Sequence, residues 1–199
     1  MKHKFLLTSL TAFIFAVSGF AQFHQSVGAG IVYGTGKIPK GAEAGSDKPT
    51  ILGYGVFYNP RYNISETESG ALSIGVPLTA GLTGSINSRT GGNISIIADL
   101  PVTIDYNFGA GSTDDNESGF GGFIGAGFGY TYSNYTDEFY IPGSVNYSEQ
   151  VKGTSYGPLV NGGLRALIGE KTYFLRAFYK VGLEKAKFKT FGVSVGISL

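Results

Sequence analysis

The sequence predicts an all-β protein, an eight-stranded antiparallel up-and-down transmembrane β-barrel, and three observations carry that expectation. The first is alternation. Between Ala71 and Leu82 the residues Leu72, Ile74, Val76, Leu78, Ala80 and Leu82 are apolar, while Ser73, Gly75, Pro77, Thr79 and Gly81 are small or polar. From Ile94 the pattern returns, with Ile96, Ala98, Leu100, Val102, Ile104, Tyr106 and Phe108 on one face and Ser95, Asp99, Thr103, Asp105 and Asn107 on the other. Such runs outlast the roughly 5–6 residues of a typical soluble strand and suit the roughly 9–11 of a tilted strand crossing a bilayer. The second is charge. Only 15% of the residues are charged, against roughly 25% in soluble domains. The third is glycine, 32 of 199 residues, which disfavours helix and fits a crowded barrel interior. No apolar run beyond the N-terminal segment reaches the roughly 20 residues of a membrane helix. A spanning chain must then satisfy its backbone as a closed barrel.

Residues 1–21 read as a secretory signal peptide. Lys2 and Lys4 open it, an apolar stretch follows over residues 5–17, and Ser18-Gly-Phe-Ala21 forms a small-residue exit. The barrel domain then spans residues 22–199. Cysteine is absent, which excludes disulfides and a lipoprotein cleavage site. Without the leader, 13 basic side chains stand against 14 acidic ones, a balance with no footprint for nucleic acid.

Eight strands are expected in order. The first, near residues 26–34, sets Val27, Ala29, Ile31 and Tyr33 on one face. In the second, Leu52, Tyr54, Val56, Tyr58 and Tyr62 alternate with Gly53, Gly55, Asn59, Arg61 and Asn63. The third and fourth are the two runs quoted first. In the fifth, Phe120, Ile124, Ala126, Phe128, Tyr130 and Tyr132 alternate with glycines, Thr131 and Ser133. The sixth sets Val160, Leu164, Ala166 and Ile168 against Asn161, Gly163 and Arg165. The seventh turns Tyr173, Leu175, Ala177, Tyr179, Val181 and Leu183 away from Arg176, Lys180 and Glu184. The last has Phe191, Val193, Val195, Ile197 and Leu199 against Gly192, Ser194, Gly196 and Ser198.

An even count places both termini on one side, expected to be the periplasm. Residues 65–70, 110–119 and 169–171 are then periplasmic turns, and residues 35–50, 85–93, 134–153 and 185–187 outward loops. The two longest connections are outward, as such barrels require; 110–119 is long for a periplasmic turn. A soluble barrel would alternate equally well, with its apolar face inward. Its exterior would be the Gly, Ser, Thr and Asn set with few Lys or Glu, a poor surface for water. Tyr54, Tyr58, Tyr62, Tyr130, Tyr132 and Tyr173 gather toward strand ends, as an interfacial girdle does.

Strand number, alternation and the closing segment Phe191-Gly-Val-Ser-Val-Gly-Ile-Ser-Leu199 resemble the small outer-membrane β-barrel family of Gram-negative bacteria, which includes OmpX and the membrane domain of OmpA. Tyr58-Asn-Pro-Arg-Tyr62 and Ala98-Asp-Leu-Pro-Val102 look like segments of the "outer membrane protein beta-barrel" group, which also holds PorT-like proteins associated with secretion. The resemblance covers the whole chain after the leader. It implies a bacterial outer-membrane location among lipid and lipopolysaccharide, and recognition of the last strand by the barrel-assembly machinery. In such families that strand ends in an aromatic residue, and here it ends in Leu199.

Little in the sequence carries chemistry. Membrane-barrel enzymes mostly use a histidine to activate a serine or water. His24, the one histidine after the leader, stands ahead of the first strand and reads as a solvated terminal residue. No catalytic, metal or cofactor residue is expected. Asp114-Asp115-Asn116-Glu117 lacks calcium-loop spacing, and Gly125-Ala-Gly-Phe-Gly129 lacks the helix a nucleotide loop needs. By parity, Arg61, Asp99, Asp105, Arg165, Arg176, Lys180 and Glu184 all point inward, where a narrow lumen is filled by side chains. They are expected to pair as a polar plug, or else to line a narrow ion path. In the longest loop Tyr140 and Tyr147, among carboxylates, form either a contact surface for a protein or glycan or the cross-strand pairs of an extended hairpin. The functional expectation is a non-catalytic barrel with a structural or surface-interaction role. The alternatives are a narrow channel, an accessory of a secretion or assembly machine, and a lipid-modifying enzyme.

Overall fold

A computed structural model describes residues 22–38, 48–85, 95–134, 136–140 and 148–199, together with Lys40, Ala42 and Ser46. Residues 1–21, expected to be a signal peptide, Ile94 and Tyr147 lie outside the described residues. Among the described residues eleven strands are present: β1 (Phe23–Thr35), β2 (Thr50–Thr67), β3 (Gly70–Gly75), β4 (Leu78–Ser85), β5 (Ser95–Gly109), β6 (Phe120–Ser133), β7 (Thr136–Tyr140), β8 (Ser148–Lys152), β9 (Ser155–Ile168), β10 (Lys171–Val181) and β11 (Lys189–Ser198). Nine of them form one antiparallel sheet that closes on itself, because β1 pairs with both β2 and β11. Each wall strand bonds to its neighbours in sequence, the up-and-down order. β3 and β4 are two halves of a single wall strand, so the barrel has eight staves.

The third expected strand is therefore broken, at Val76–Pro77. Proline has no N–H for the ladder, and Pro77 faces the stretch of β5 around Pro101, where neither chain can donate. The Val76 N–H is satisfied instead by the Pro60 carbonyl of β2 at 3.0 Å. Inside–outside alternation nevertheless runs through the break, with Thr79 buried and Leu82 exposed. A bulge in β2 between Asn63 and Ser65 is the second irregularity.

The apolar set faces out. Ile104, Val102, Leu164, Val195 and their equivalents on every stave are about half exposed, while the intervening residues are buried. An apolar band encircling a closed barrel cannot be left to water; it is the lipid-facing surface of a transmembrane barrel. Chain ends meet at one end of the barrel, where Ser26 pairs with Ser198 and the Leu199 N–H bonds the Gln25 carbonyl at 2.9 Å. This is called the terminus end below.

Strands overrun the expected bounds there. β2 continues to Thr67, so the first connection shrinks from residues 65–70 to the two-residue turn Glu68–Ser69. At the far end the long connection contains β7 and β8, which pair only with each other. The backbone pairing of β7 with β8 is that of a hairpin. Tyr140 ends β7, and its side chain lies outside the described residues.

Candidate functional site

The lumen is a stack of tiers. At the far end Val32, Ile51, Ile97, Phe178 and Phe188 form a buried apolar cluster, with Ala42 and Ala186 packed against it. Phe188 comes from the β10–β11 connection and is fully buried, so the connection itself covers the barrel mouth. Below it lies an ion pair. Lys180 Nζ is 3.3 Å from Asp99 Oδ1, both residues being almost wholly buried. Thr131 Oγ1 donates to the same oxygen at 2.5 Å and accepts from Lys180.

The middle tier is built on Asp105. Its Oδ1 accepts from Asn161 Nδ2 at 2.8 Å and its Oδ2 from Thr103 Oγ1 at 2.7 Å. Arg176 reaches this tier through Nε, which donates to Asn161 Oδ1 at 3.1 Å. Its guanidinium carbon stands 4.8 Å from the Phe178 ring centre and 5.7 Å from that of Phe57. Cation–π attraction at such distances is worth about 0.5–2 kcal/mol.

The terminus end is closed by residues 110–119. Gly109 and Gly111 adopt left-handed φ of 62° and 65°, which folds the segment back into the mouth rather than away from it. Ala110, Ser112 and Thr113 are buried as a result. Two arginines hold it. Arg61 donates to Asn107 Oδ1 at 2.6 Å and to the Gly111 carbonyl at 2.7 Å. Arg165 donates to the same two acceptors at 2.8 and 3.2 Å, with its guanidinium 4.7 Å from the Phe123 ring centre. Asn63 adds a bond from Nδ2 to the Ser112 carbonyl at 2.9 Å. The unusual length of this connection thus has a physical reason: it is a stopper. On its outer side the Asp114 carboxyl is held above its ordinary pKa by partial burial and by Glu66 and Asp115, against the pull of Arg61.

Six of the seven parity-assigned charges, Arg61, Asp99, Asp105, Arg165, Arg176 and Lys180, are brought together in the lumen. Glu184 stands at their far-end edge, where its charge still acts on Lys180. It lies past the end of β10, where its carboxylate accepts from the Phe188 N–H and, at 3.4 Å, from the Tyr156 N–H, fixing the β10–β11 connection. His24 also departs from expectation. It belongs to β1, is half-buried, and its Nε2 lies 3.0 Å from Asn63 Nδ2 while Nδ1 lies 3.6 Å from Asp114. No cluster of three or more His, Asp or Glu suited to a metal occurs among the described residues.

Parity could have found what was missed. Phe174 and Phe178 share the face of Arg176 and Lys180, and Phe57 shares that of Arg61; all three are buried inward. Their apolar character hid them within a face read as polar. Nothing in the sequence marks the inward fold of residues 110–119.

With the lumen described, solved structures supply a comparison. The chain superposes on Neisserial surface protein A with a TM-score of 0.53 at 14% identity, covering 89% of this chain and 96% of that one. It superposes on the outer membrane protein OprG from Pseudomonas aeruginosa with a TM-score of 0.50 at 14% identity, covering 88% and 93%. The fold is that of the small outer-membrane β-barrels. No protein-family model and no curated protein matches the sequence. At such identity the likeness concerns the wall, and the lumen must be judged from its own residues.

Proposed function

We propose that the protein is a bacterial outer-membrane barrel that works without catalysis, as a closed scaffold presenting its far-end loops and the β7–β8 hairpin at the cell surface. Its termini and the 110–119 stopper would then face the periplasm. One observation carries this reading: the lumen is closed at both ends, by the Phe188-centred apolar cluster and by the segment bonded to Arg61, Arg165 and Asn63. Between the closures the remaining volume holds paired or ring-packed cations, a filled core rather than a water path. Function then falls to the connections, which the wall leaves free to vary. The candidates are the hairpin and the other far-end loops, with a protein or glycan as partner.

Planar-bilayer recording tests this. The purified barrel should show no stable, well-resolved conductance. Large steady currents from the unaltered protein would refute the closed lumen and promote the narrow-channel reading. Crosslinking from the hairpin and, separately, from residues 110–119 in intact cells distinguishes a surface contact from a secretion accessory, which would be captured from the stopper side.

A further inference from the structure

Surface charge is divided between the two ends of the barrel. The terminus-end turns, residues 68–69, 110–119 and 169–170, carry five acidic residues and no lysine or arginine. At the far end, residues 36–49 and 182–189 carry six lysines against three acidic residues. These two connections are neighbours, because the Lys37 N–H donates to the Ala186 carbonyl at 2.7 Å. Lys37, Lys187 and Lys189 are exposed, and among the described residues none of the three enters an ion pair. Glu184, the acid of the β10–β11 connection, is already engaged by the Phe188 and Tyr156 N–H groups.

Lys189 stands on the wall itself. It opens β11 opposite Thr35 of β1 and Val181 of β10, and it shares the lipid-facing side with Phe191. Phe191 is in register with Tyr33 and Tyr179, and Tyr33 with Leu52, so an aromatic row crosses three staves directly below the lysine. All four residues are exposed. Such rings mark the headgroup level of a bilayer. Lys189 then lies among the headgroups, and Ile31, Val193 and Ala177 of the next tier lie among the acyl chains.

Lys187 supplies an independent observation. Among the described residues it is the one non-glycine with a positive φ, 46°. Glycine or asparagine would adopt that conformation at less cost, and side chains held in it cluster at binding sites. Compact ammonium groups suit phosphate, which carries more than one charge. The aromatic row beneath them is in contact with lipid, where a water-soluble ligand gains nothing from it.

We propose that the far-end edge of the β10–β11–β1 wall binds one phosphorylated lipid of the leaflet around it, with the phosphate at Lys37, Lys187 and Lys189 and the acyl chains along Tyr33, Phe191 and Tyr179. This deepens the surface-scaffold reading, which it needs only to make that leaflet the outer one.

Native mass spectrometry of the full barrel released from micelles tests it. A bisphosphorylated glycolipid of the lipid A type is titrated against its dephosphorylated form. The phosphorylated lipid should bind at one copy per barrel and at least about tenfold more tightly. Lys37→Gln, Lys187→Gln and Lys189→Gln should each weaken it about fivefold, the effect of one lysine beside an anionic headgroup. Lys171→Gln, at the terminus end, should leave it unchanged. Equal affinity for the two lipids would overturn the proposal, as would a preference that survives the three far-end substitutions together. Displacement by an equimolar amount of inorganic phosphate would make this a site for a free anion and overturn the lipid assignment. A barrel that is silent in a planar bilayer and shows no lipid preference loses this site alone. One that conducts and keeps the preference loses the closed scaffold alone.

Discussion

Replacing Asp99 by Asn isolates the strongest electrostatic contact in the lumen. The Lys180 ammonium is fully buried and lies 3.3 Å from Asp99 Oδ1. At that separation, with an effective dielectric constant of about 20, the attraction is about 5 kcal/mol. Asn keeps the shape and the acceptor for Thr131 while removing the charge, so the buried lysine is left with only the weaker pull of Glu184. Breaking a buried pair in this way costs about 3–5 kcal/mol, whereas replacing both partners by apolar residues of similar volume is often neutral. Asp99→Asn should therefore destabilise the barrel by about 3–5 kcal/mol, and adding Lys180→Met should bring it back to within about 1 kcal/mol of the parent. The sequence contains no tryptophan, so the folded fraction is best read in urea by heat-modifiable gel mobility and far-ultraviolet circular dichroism. If Asp99→Asn alone costs less than about 1 kcal/mol, the lumen is wet enough to screen the pair, and the closed-core reasoning fails with it.

Three other outcomes follow from the geometry. Ile104→Arg, at a lipid-facing position 55% exposed, should cost about 2–4 kcal/mol near the bilayer midplane, whereas Glu170→Arg in the exposed β9–β10 turn should stay within about 0.5 kcal/mol; equal penalties in vesicle refolding would contradict the assigned faces. Gly111→Val forces a branched side chain into a left-handed conformation, at roughly 1–2 kcal/mol, against Thr172 Cγ2, which lies 3.2 Å from the Cβ position; urea unfolding read by gel mobility should show at least that loss, with the bilayer still silent because the far end stays closed, and an unchanged unfolding curve would contradict the inward fold of residues 110–119. Replacing residues 136–150 by a short Gly-containing turn should leave the barrel heat-modifiable and membrane-inserted, because β7 and β8 pair with no wall strand, and should remove any surface partner; capture of that partner by the shortened protein would move the contact elsewhere.

The wall was legible because each lipid-facing residue must be apolar and each stave must pair. Those two demands print a period of two that survives even at Pro77, where the ladder itself is broken. The lumen charges were legible by the same parity, down to Arg176 and Lys180. What parity could not supply was depth and direction. Glu184 has inward parity, yet it sits past the end of β10, where the chain has begun to turn and parity no longer fixes a face. His24 stood too close to the segment read as a signal peptide to be read as part of a strand, although β1 begins at Phe23. The stopper was unreadable for a different reason. Its inward fold depends on carbonyls meeting Arg61 and Arg165, residues that lie about 50 positions away in either direction. Local pattern holds no record of such a contact.

The glycines of the inward face complete the account of how so narrow a barrel holds such large side chains. A Cβ on Gly192 would lie 2.1 Å from the Phe178 ring, one on Gly163 2.6 Å from Phe123, and one on Gly125 1.9 Å from Asp105 Oδ1. Gly129 is likewise bordered by Leu159 and Lys180, at 3.0 and 3.2 Å. Phe178, Phe123 and Asp105 thus each lie over a glycine on a neighbouring stave, the large-against-small alternation that fills an eight-stranded interior. This gives the glycine-rich minor face a second meaning. It is small because its space is occupied by Asp105, Phe123, Phe178, Leu159 and Lys180. A channel would need the same glycines without the residues that fill them, so the presence of both supports the closed scaffold proposed above.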